Sequence, residues 1–553
     1  MTRAASRGAV VLILLFVASI AQSEGSVGED SLYVSQVSTA STGDLAPGAE
    51  IATGGRPLSI GEAVALAIRN NLDVEVERYG PMIADTDREG AWGAYDPLLS
   101  ADMRYDVAKS SNAIQFFGSL KDRQREKGGG VGIDQLIPYL GASLGVRFES
   151  LSTSTRRSSS ALDEQYNSSL FVTAKIPLAR GLIWNNEWTR VKTSEIQSAS
   201  SHAGFSASVM TTVQQTVDLY WNLVASRDQV RVAQKSLETS RALLEQTKTQ
   251  YEVGVVSRVE VVEAEAGVAD REFDLIRTAN EYRNAQDALV DAVLGRELGA
   301  ASELAFSPTE DPEAFSLREV DVAEAVDRAF RKRPELEQAR RSIDEDEIDL
   351  KFAKNQRLPQ FDVQGHYGFR GLAGEQNAGL RDFSGNLVPP SANIPFEGSY
   401  ADSIGDWRGR DNYQVKGVFS IPLPNRTASK NVAKRELELR RSNSRLVRAQ
   451  QNIVLEVRRA ARTLSASAQG IQASERRRLA AEEQLRAERI RLEHGESTPF
   501  EVLQRESDLV EAESQKINAL QSYRSAEVAL ERAQGTILEA HRVELDQAAE
   551  PSR

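Results

Sequence analysis

The sequence predicts a mainly α-helical protein with membrane β-structure: a long antiparallel coiled coil of helices joined to strands of a transmembrane β-barrel. Three observations predict it. Apolar residues recur every seven positions over two very long stretches. The chain is written twice. Each copy is interrupted by runs of about ten residues in which apolar and polar side chains alternate.

The heptads come first. From Trp184 to Tyr251 there is no proline and a single glycine, Gly204. Leu223, Val230, Leu237, Leu244 and Tyr251 are spaced by sevens, as a coiled-coil seam requires. Gly254 marks a turn, and the sevens resume at Val261, Val268, Leu275, Tyr282 and Leu289. This is a helical hairpin whose longer arm would span roughly 100 Å at 1.5 Å per residue.

A shift of 262 residues carries Ala67-Ile-Arg-Asn-Asn-Leu-Asp-Val onto Ala329-Phe-Arg-Lys-Arg-Pro-Glu-Leu, and Pro97 onto Pro359. A shift of 241 carries the turn at Gly254 onto Gly495. There the sevens run through Val457, Leu464, Ile471, Leu485 and Leu492, broken by Arg478, then Val502, Leu509, Tyr523 and Leu530, broken by Lys516. Each copy thus reads as a helix of about 40 residues (58–95; 317–356), strands, a helix of about 68 (184–251; 426–493), a glycine turn, and a helix of about 40 (257–295; 498–538). Two shorter helices end to end match one long helix, so both fit one tall cylinder. The expected organisation is a first repeat at 57–295, a linker at 296–316 crossing at mid-height, a second repeat at 317–540 and a tail at 541–553.

Between the helices the period changes to two. Leu99, Ala101, Met103, Tyr105 and Val107 alternate with polar residues, as do Phe361, Val363, Gly365, Tyr367 and Phe369 in the second copy. Returning strands are expected at 170–176 and 415–421. Such runs suit a barrel strand facing lipid on one side and water on the other. The runs at 131–134 and 144–149, around a turn at Pro138-Tyr-Leu-Gly141, are either an additional hairpin that raises four strands to six or a unit packed elsewhere. The polar segments 109–128, 151–166 and 370–412 read as outer loops, with Gly128-Gly-Gly130 as a turn. So few strands cannot close a barrel in one chain, and an open edge is not tolerated in lipid, so copies must share it.

Residues 1–21 read as a secretory signal peptide: Arg3 and Arg7, an apolar run from Ala9 to Ala18, and small residues at Ser19-Ile20-Ala21. Residues 22–56 read as a flexible leader. Among 553 residues there is no cysteine, hence no disulfide, thiolate ligand or N-terminal lipid anchor on sulfur. The net charge of −13 argues against non-specific nucleic-acid binding, which needs a basic face. No catalytic, nucleotide or metal signature is present, and the four histidines are scattered, so no enzyme activity, cofactor or metal is expected. Arg476-Arg-Arg478 reads as a solvated, salt-bridged helix face.

With the doubled unit, Arg333-Pro334-Glu335-Leu336, Leu358-Pro359, the Ile-Pro-Leu before each long helix and the Tyr251-Glu-Val-Gly254…Ser257-x-x-Glu260-Val turn, residues 57–540 resemble the TolC-like outer membrane efflux proteins of Gram-negative bacteria. The resemblance implies a homotrimer: a β-barrel in outer membrane lipid continued by a periplasmic helical tunnel. It implies a passive exit duct for efflux or type I secretion, completed by a periplasmic adaptor and an inner-membrane pump. It places a constriction of acidic side chains at the tip, here Glu260, Glu263 and Glu501. It assigns adaptor docking to Val253, Gly254, Val255 and Gly495. The family has an acidic residue where this chain has Gln504, an aromatic at Leu492 and a basic residue at Ser497. Independently, Ser257 and Glu260 have the spacing of a capping box. A periplasmic coiled-coil adaptor or structural protein without a pore is the other reading; a single hairpin between compact β-domains would suit it better, and detergent dependence separates the two.

Overall fold

The computed structural model describes residues 55–111, 121–155, 161–295, 305–314, 319–381, 384–389, 396–405, 407 and 410–544. The expected signal peptide and nearly all of the leader lie outside the described residues. In the first half, β1 (Arg56–Leu58) leads to α1 (Ile60–Asn70) and α2 (Leu72–Ala91), and then to β2 (Leu98–Ser111), β3 (Lys121–Ile137), β4 (Ala142–Thr155) and β5 (Leu162–Pro177). The helical hairpin α3 (Asn186–Glu252) and α4 (Arg258–Leu294) closes the half, and β6 (Phe306–Pro308) lies in the linker. The second half has α5 (Val322–Lys332), α6 (Pro334–Gln356), β7 (Gln360–Gln376), the short α7 (Tyr400–Gly405) and β8 (Asp411–Ser420). It ends in the hairpin α8 (Arg426–Glu493) and α9 (Pro499–Gln534), followed by α10 (Ile537–Ala540).

The heptad residues make the seams. Leu223, Val230, Leu237, Val261, Tyr282 and Leu289 are buried, as are Val457, Leu464, Tyr523 and Leu530. Leu244, Val268, Leu275 and Leu509 are partly buried, and Tyr251, at the helix end, is exposed. The two heptad breaks solve each other. Arg478 of α8 bonds Glu475 at 2.9 Å, and Lys516 of α9 reaches the same carboxylate at 2.9 Å and Glu313 of the linker at 2.7 Å. Two cations in the seam are thus tied by one acid, whose carboxyl is held down at about 2, mainly by the Arg478 hydrogen bonds. Among the neighbouring arginines, Arg477 pairs with Glu511 at 3.1 Å.

Each shorter helix expected in one piece is broken. In the first half the break is Asn71, whose side chain accepts from the backbone N–H of Asp73 and Val74 and so caps α2. In the second it is Arg333, with Pro334 at the first position of α6, where a missing N–H costs nothing. Arg333 is buried. It donates to Glu335 at 2.9 Å, Glu456 at 2.8 Å and the Ala533 carbonyl at 3.3 Å. Burial alone would push the Glu335 carboxyl up, but the hydrogen bonds and charge of Arg333 bring it below its ordinary value. The Arg-Pro-Glu-Leu motif is therefore a joint, with Leu336 sunk in the core formed with α8 and α9.

At the middle of α3 the buried Tyr220 hydroxyl donates to the Leu58 carbonyl at 2.9 Å and accepts the Thr309 N–H at 3.0 Å. Here β1 pairs in parallel with β6, and Arg227 donates to the Pro308 carbonyl at 2.9 Å.

The open membrane sheet

The other strands form one six-stranded sheet in the order β2-β3-β4-β5-β7-β8, every neighbour antiparallel. The hairpin β3–β4 therefore joins the sheet rather than packing elsewhere. Leu99, Ile133, Val146, Val172, Tyr367 and Tyr413 are directly paired in one row across all six strands. Each is at least 41% exposed, which for apolar side chains in an uninterrupted row means a surface made for something other than water.

The strands are longer than expected, and the outer loops correspondingly shorter. Residues 109–111, 121–128, 151–155 and 162–166 lie in strands, and β7 continues to Gln376. The remainder of the expected loops at 109–128 and 151–166 lies largely outside the described residues. Beyond the apolar belt the strands pair with polar side chains: Lys127 with Glu164 at 2.9 Å, and the buried Ser168 hydroxyl with Ser150 at 2.9 Å and Ser403 at 2.7 Å. Strand pairing above a membrane needs no apolar alternation, so the period-two signal stops before the strands do.

Gly128-Gly-Gly130 is not a turn but the middle of β3. A Cβ on Gly128 would come within 2.2 Å of the Ser150 carbonyl oxygen and one on Gly129 within 2.3 Å of that of Asp102. Glycine is present because neighbouring backbones approach too closely for any other residue.

Aromatic side chains mark both ends of the belt. Trp407 stacks on Phe369 at 6.2 Å and Tyr400 meets Tyr166 at 5.5 Å. At the helical end Trp188 lies 6.0 Å from Trp92 and 4.4 Å from Tyr139. An apolar band between two aromatic girdles is the mark of an outer-membrane barrel.

Candidate functional site

The tip is built from two turns of identical construction. After α3 the Gly254 N–H donates to the Tyr251 carbonyl and the Val255 N–H to that of Gln250, both at 2.9 Å. After α8 the Gly495 N–H donates to Leu492 at 3.0 Å and the Glu496 N–H to Arg491 at 2.8 Å. Both are Schellman closures, and the glycines have φ of +81° and +73°, where a Cβ is strained. The turn leaves Val253 and Val255 each 71% exposed, with Val259 and Phe500 exposed beside them.

Glu260 lies in the first turn of α4 and Glu501 in the first turn of α9, where a carboxylate is favoured by the helix dipole. Glu263 follows one turn later. Glu260 and Glu263 are half-buried and Glu501 is exposed. The expected capping box at Ser257 is not closed: Ser257 caps no backbone N–H, and its hydroxyl instead donates to the Glu260 carboxylate at 3.3 Å. The side chain that does cap is Thr498, which accepts from the Glu501 N–H at 3.4 Å.

Two further carboxylates shape the tip. Glu488 is buried, bonded by Arg491 at 3.3 Å to each oxygen and by the Ser497 hydroxyl; Arg491 also donates to the Glu496 carbonyl. Ser497, where the family has a basic residue, thus ties the turn back onto α8. Leu492, where the family has an aromatic, is buried with Leu243, Leu485 and Val502. Glu506 is 3% exposed in α9. Burial pushes its carboxyl up to about 6, against the pull of Arg489, Arg271 and the Ser240 hydroxyl. A sequence signal for Glu506 existed: it stands four residues after Val502, on the seam itself. Glu488 carried the same kind of signal, three residues after Leu485 and four before Leu492 on the seam of α8. Among the described residues no group of three or more His, Cys, Asp or Glu side chains is placed to hold a metal.

An open sheet with a lipid-facing belt at one end and paired helical hairpin tips at the other define a class of protein, a membrane-anchored helical duct. The family model described as "outer membrane efflux protein" matches residues 126–295 and 325–536, more than half of the chain, and the chain belongs to that family. Outer membrane protein TolC of Vibrio cholerae is 22% identical over 380 residues, covering 68% of this chain and 80% of that protein. Among solved structures, the CmeC outer membrane channel of Campylobacter jejuni aligns with a TM-score of 0.58 at 14% identity over 86% of each chain. VceC of Vibrio cholerae gives 0.59 at 14% identity, over 86% of this chain and 96% of that one. The open state of the Neisseria gonorrhoeae MtrE channel gives 0.57 at 15% identity, over 87% and 89%. The protein is an outer membrane efflux channel, and its work is transport rather than catalysis.

Proposed function

We propose that three copies of this chain form a passive exit duct of an efflux or type I secretion system, fed at the tip by a periplasmic adaptor and an inner-membrane pump. The observation that carries this reading is the separation of the two ends. A sheet with unpaired edges demands other copies in the membrane, and helices of 67 and 68 residues carry the tip turns roughly 100 Å away. The exposed Val253 and Val255, held out by Gly254, and the matching turn at Gly495 are the docking surface for the adaptor.

Glu260, Glu263 and Glu501 form the acidic constriction. Three-fold symmetry repeats each carboxylate around the axis, and a ring of carboxylates favours cations. The test is the reversal potential of the purified protein in planar bilayers under a salt gradient. The wild-type channel is expected to prefer cations, and the combined variant Glu260→Gln, Glu263→Gln, Glu501→Gln to lose most of that preference. An unchanged reversal potential would remove these residues from the pore.

A further inference from the structure

The doubled plan of the chain supplies two strands per half, yet the first half has four. The hairpin β3–β4 is the addition, and it is fully built into the wall. It is paired on both sides, to β2 and to β5. Its inner turn is seated on the helical body: Tyr139 packs on Trp188, Gln135 donates to the Tyr95 carbonyl at 3.1 Å, and Gly141, at φ +60°, lies so close to Gly181 that a Cβ would come within 2.5 Å of its carbonyl oxygen. Its outward residues Val131, Ile133, Leu144 and Val146 continue the lipid belt.

On the opposite, polar face the hairpin is kept flat. Gly128, Gly130 and Gly132 of β3 project no side chain, and two ion pairs lie across them from β2 to β4: Arg147 with Asp102, and Arg104 with Glu149. The long side chains run along the wall instead of into the space it encloses, with their charges paired.

We propose that β3–β4 is a bore-widening insertion: three copies close a barrel of eighteen strands, six from each, whose exit is about half again as wide as the four-stranded plan would give. This rests on the trimeric duct proposed above. An even number per copy sets β8 of one chain antiparallel to β2 of the next, so the ring closes without a mismatched edge. Eighteen strands about 4.8 Å apart and tilted about 40° close on a circumference of roughly 110 Å, against roughly 75 Å for twelve. The helical wall presents four columns per copy: α3, α8, α2 above α4, and α6 above α9. Twelve columns about 9–10 Å apart give a circumference of roughly 110–120 Å. The membrane exit is therefore as wide as the tunnel that feeds it, and barrels of this strand number enclose an aqueous channel.

Electron microscopy of the full chain in detergent tests this directly. Eighteen strands, with β2 of one copy beside β8 of the next, are expected. A trimer with a narrower barrel and β3–β4 outside its wall would overturn the inference and leave the duct intact, whereas a particle without three-fold symmetry would sink the duct and the inference together. A second readout uses the absence of cysteine from the chain. Thr173→Cys, on the polar face, is labelled from outside intact cells by maleimides of graded size. A polymer reagent of about 1 kDa is expected to react within about tenfold of the rate of a small maleimide, as a bore of this class allows. Reaction with the small reagent alone would overturn the wide bore.

Discussion

The first half of the chain breaks its shorter helix at Asn71; the second, 262 residues on, breaks it at Arg333. Both joints let a helix turn at the same level, but the chemistry is opposite. Asn71 is a neutral cap on the helix that follows it. Arg333 is a buried cation that needs Glu335, Glu456 and the Ala533 carbonyl. The same divergence recurs at the tips. At the second turn Glu488, Arg491 and Ser497 form a lock; the residues 241 positions earlier are Thr247, Gln250 and Val256, and Thr247 bonds back within its own helix, to the Leu243 carbonyl at 2.8 Å. The membrane strands diverge too, four against two. Duplication set the geometry, and each half then found its own way to satisfy the backbone at the places where the helix is interrupted.

The joints give the largest expected difference. Arg333→Ala leaves Glu335 and Glu456 to the longer contacts with Arg532, at 3.4 and 3.6 Å, and should cost about 2–3 kcal/mol, whereas Asn71→Ala should cost about 1 kcal/mol. Denaturant unfolding of the detergent-solubilised protein compares them, and equal losses would mean that the two joints are energetically alike.

A second pair separates the halves by pH. Glu506 is buried with a raised pKa, so its neutral form is favoured in the folded state. Its contribution is fully present below its ordinary value of 4.5 and is lost as pH rises through about 6. Glu506→Gln should therefore stabilise the protein by about 2 kcal/mol at about pH 8 and leave it unchanged at about pH 4. Glu265, its exposed counterpart 241 residues earlier, provides the control for the substitution itself: Glu265→Gln, a surface change, should alter stability by less than about 0.5 kcal/mol in thermal melting.

The smallest expected contrast is at the turns, where the halves are alike. Gly254→Ala and Gly495→Ala each place a Cβ at positive φ and should each cost about 1 kcal/mol. A much larger loss at Gly495 in the same unfolding assay would show that the Glu488 lock depends on that turn.

What could be read from the sequence follows from how many residues repeat a signal. The coiled coil declares itself ten times over in the first half and nine in the second, and the lipid belt by alternation, so both are legible. Strand ends above the membrane carry no alternation: Lys127 and Glu164 face each other like any surface pair. A run of three glycines says turn unless the crowding of Ser150 and Asp102 around it is known. The Arg478 and Lys516 breaks were visible, but not that Glu475 satisfies both, because that needs the register of two helices. The Ser257 box had the right spacing and the wrong partner, since a hydroxyl that can reach either a carboxylate or an N–H is not decided by spacing.

The even count of strands has a consequence for genetics. In the proposed three-copy ring, closed edge to edge, there is no tolerance for one faulty member: a copy whose β8 cannot accept the β2 of its neighbour would leave a gap that no other strand can fill. A cell making equal amounts of sound and faulty chain would assemble only about one sound ring in eight when three copies mix at random. Lesions confined to the edge strands should thus be dominant, and lesions that prevent the chain from folding at all recessive, because a chain that never reaches the ring cannot spoil it.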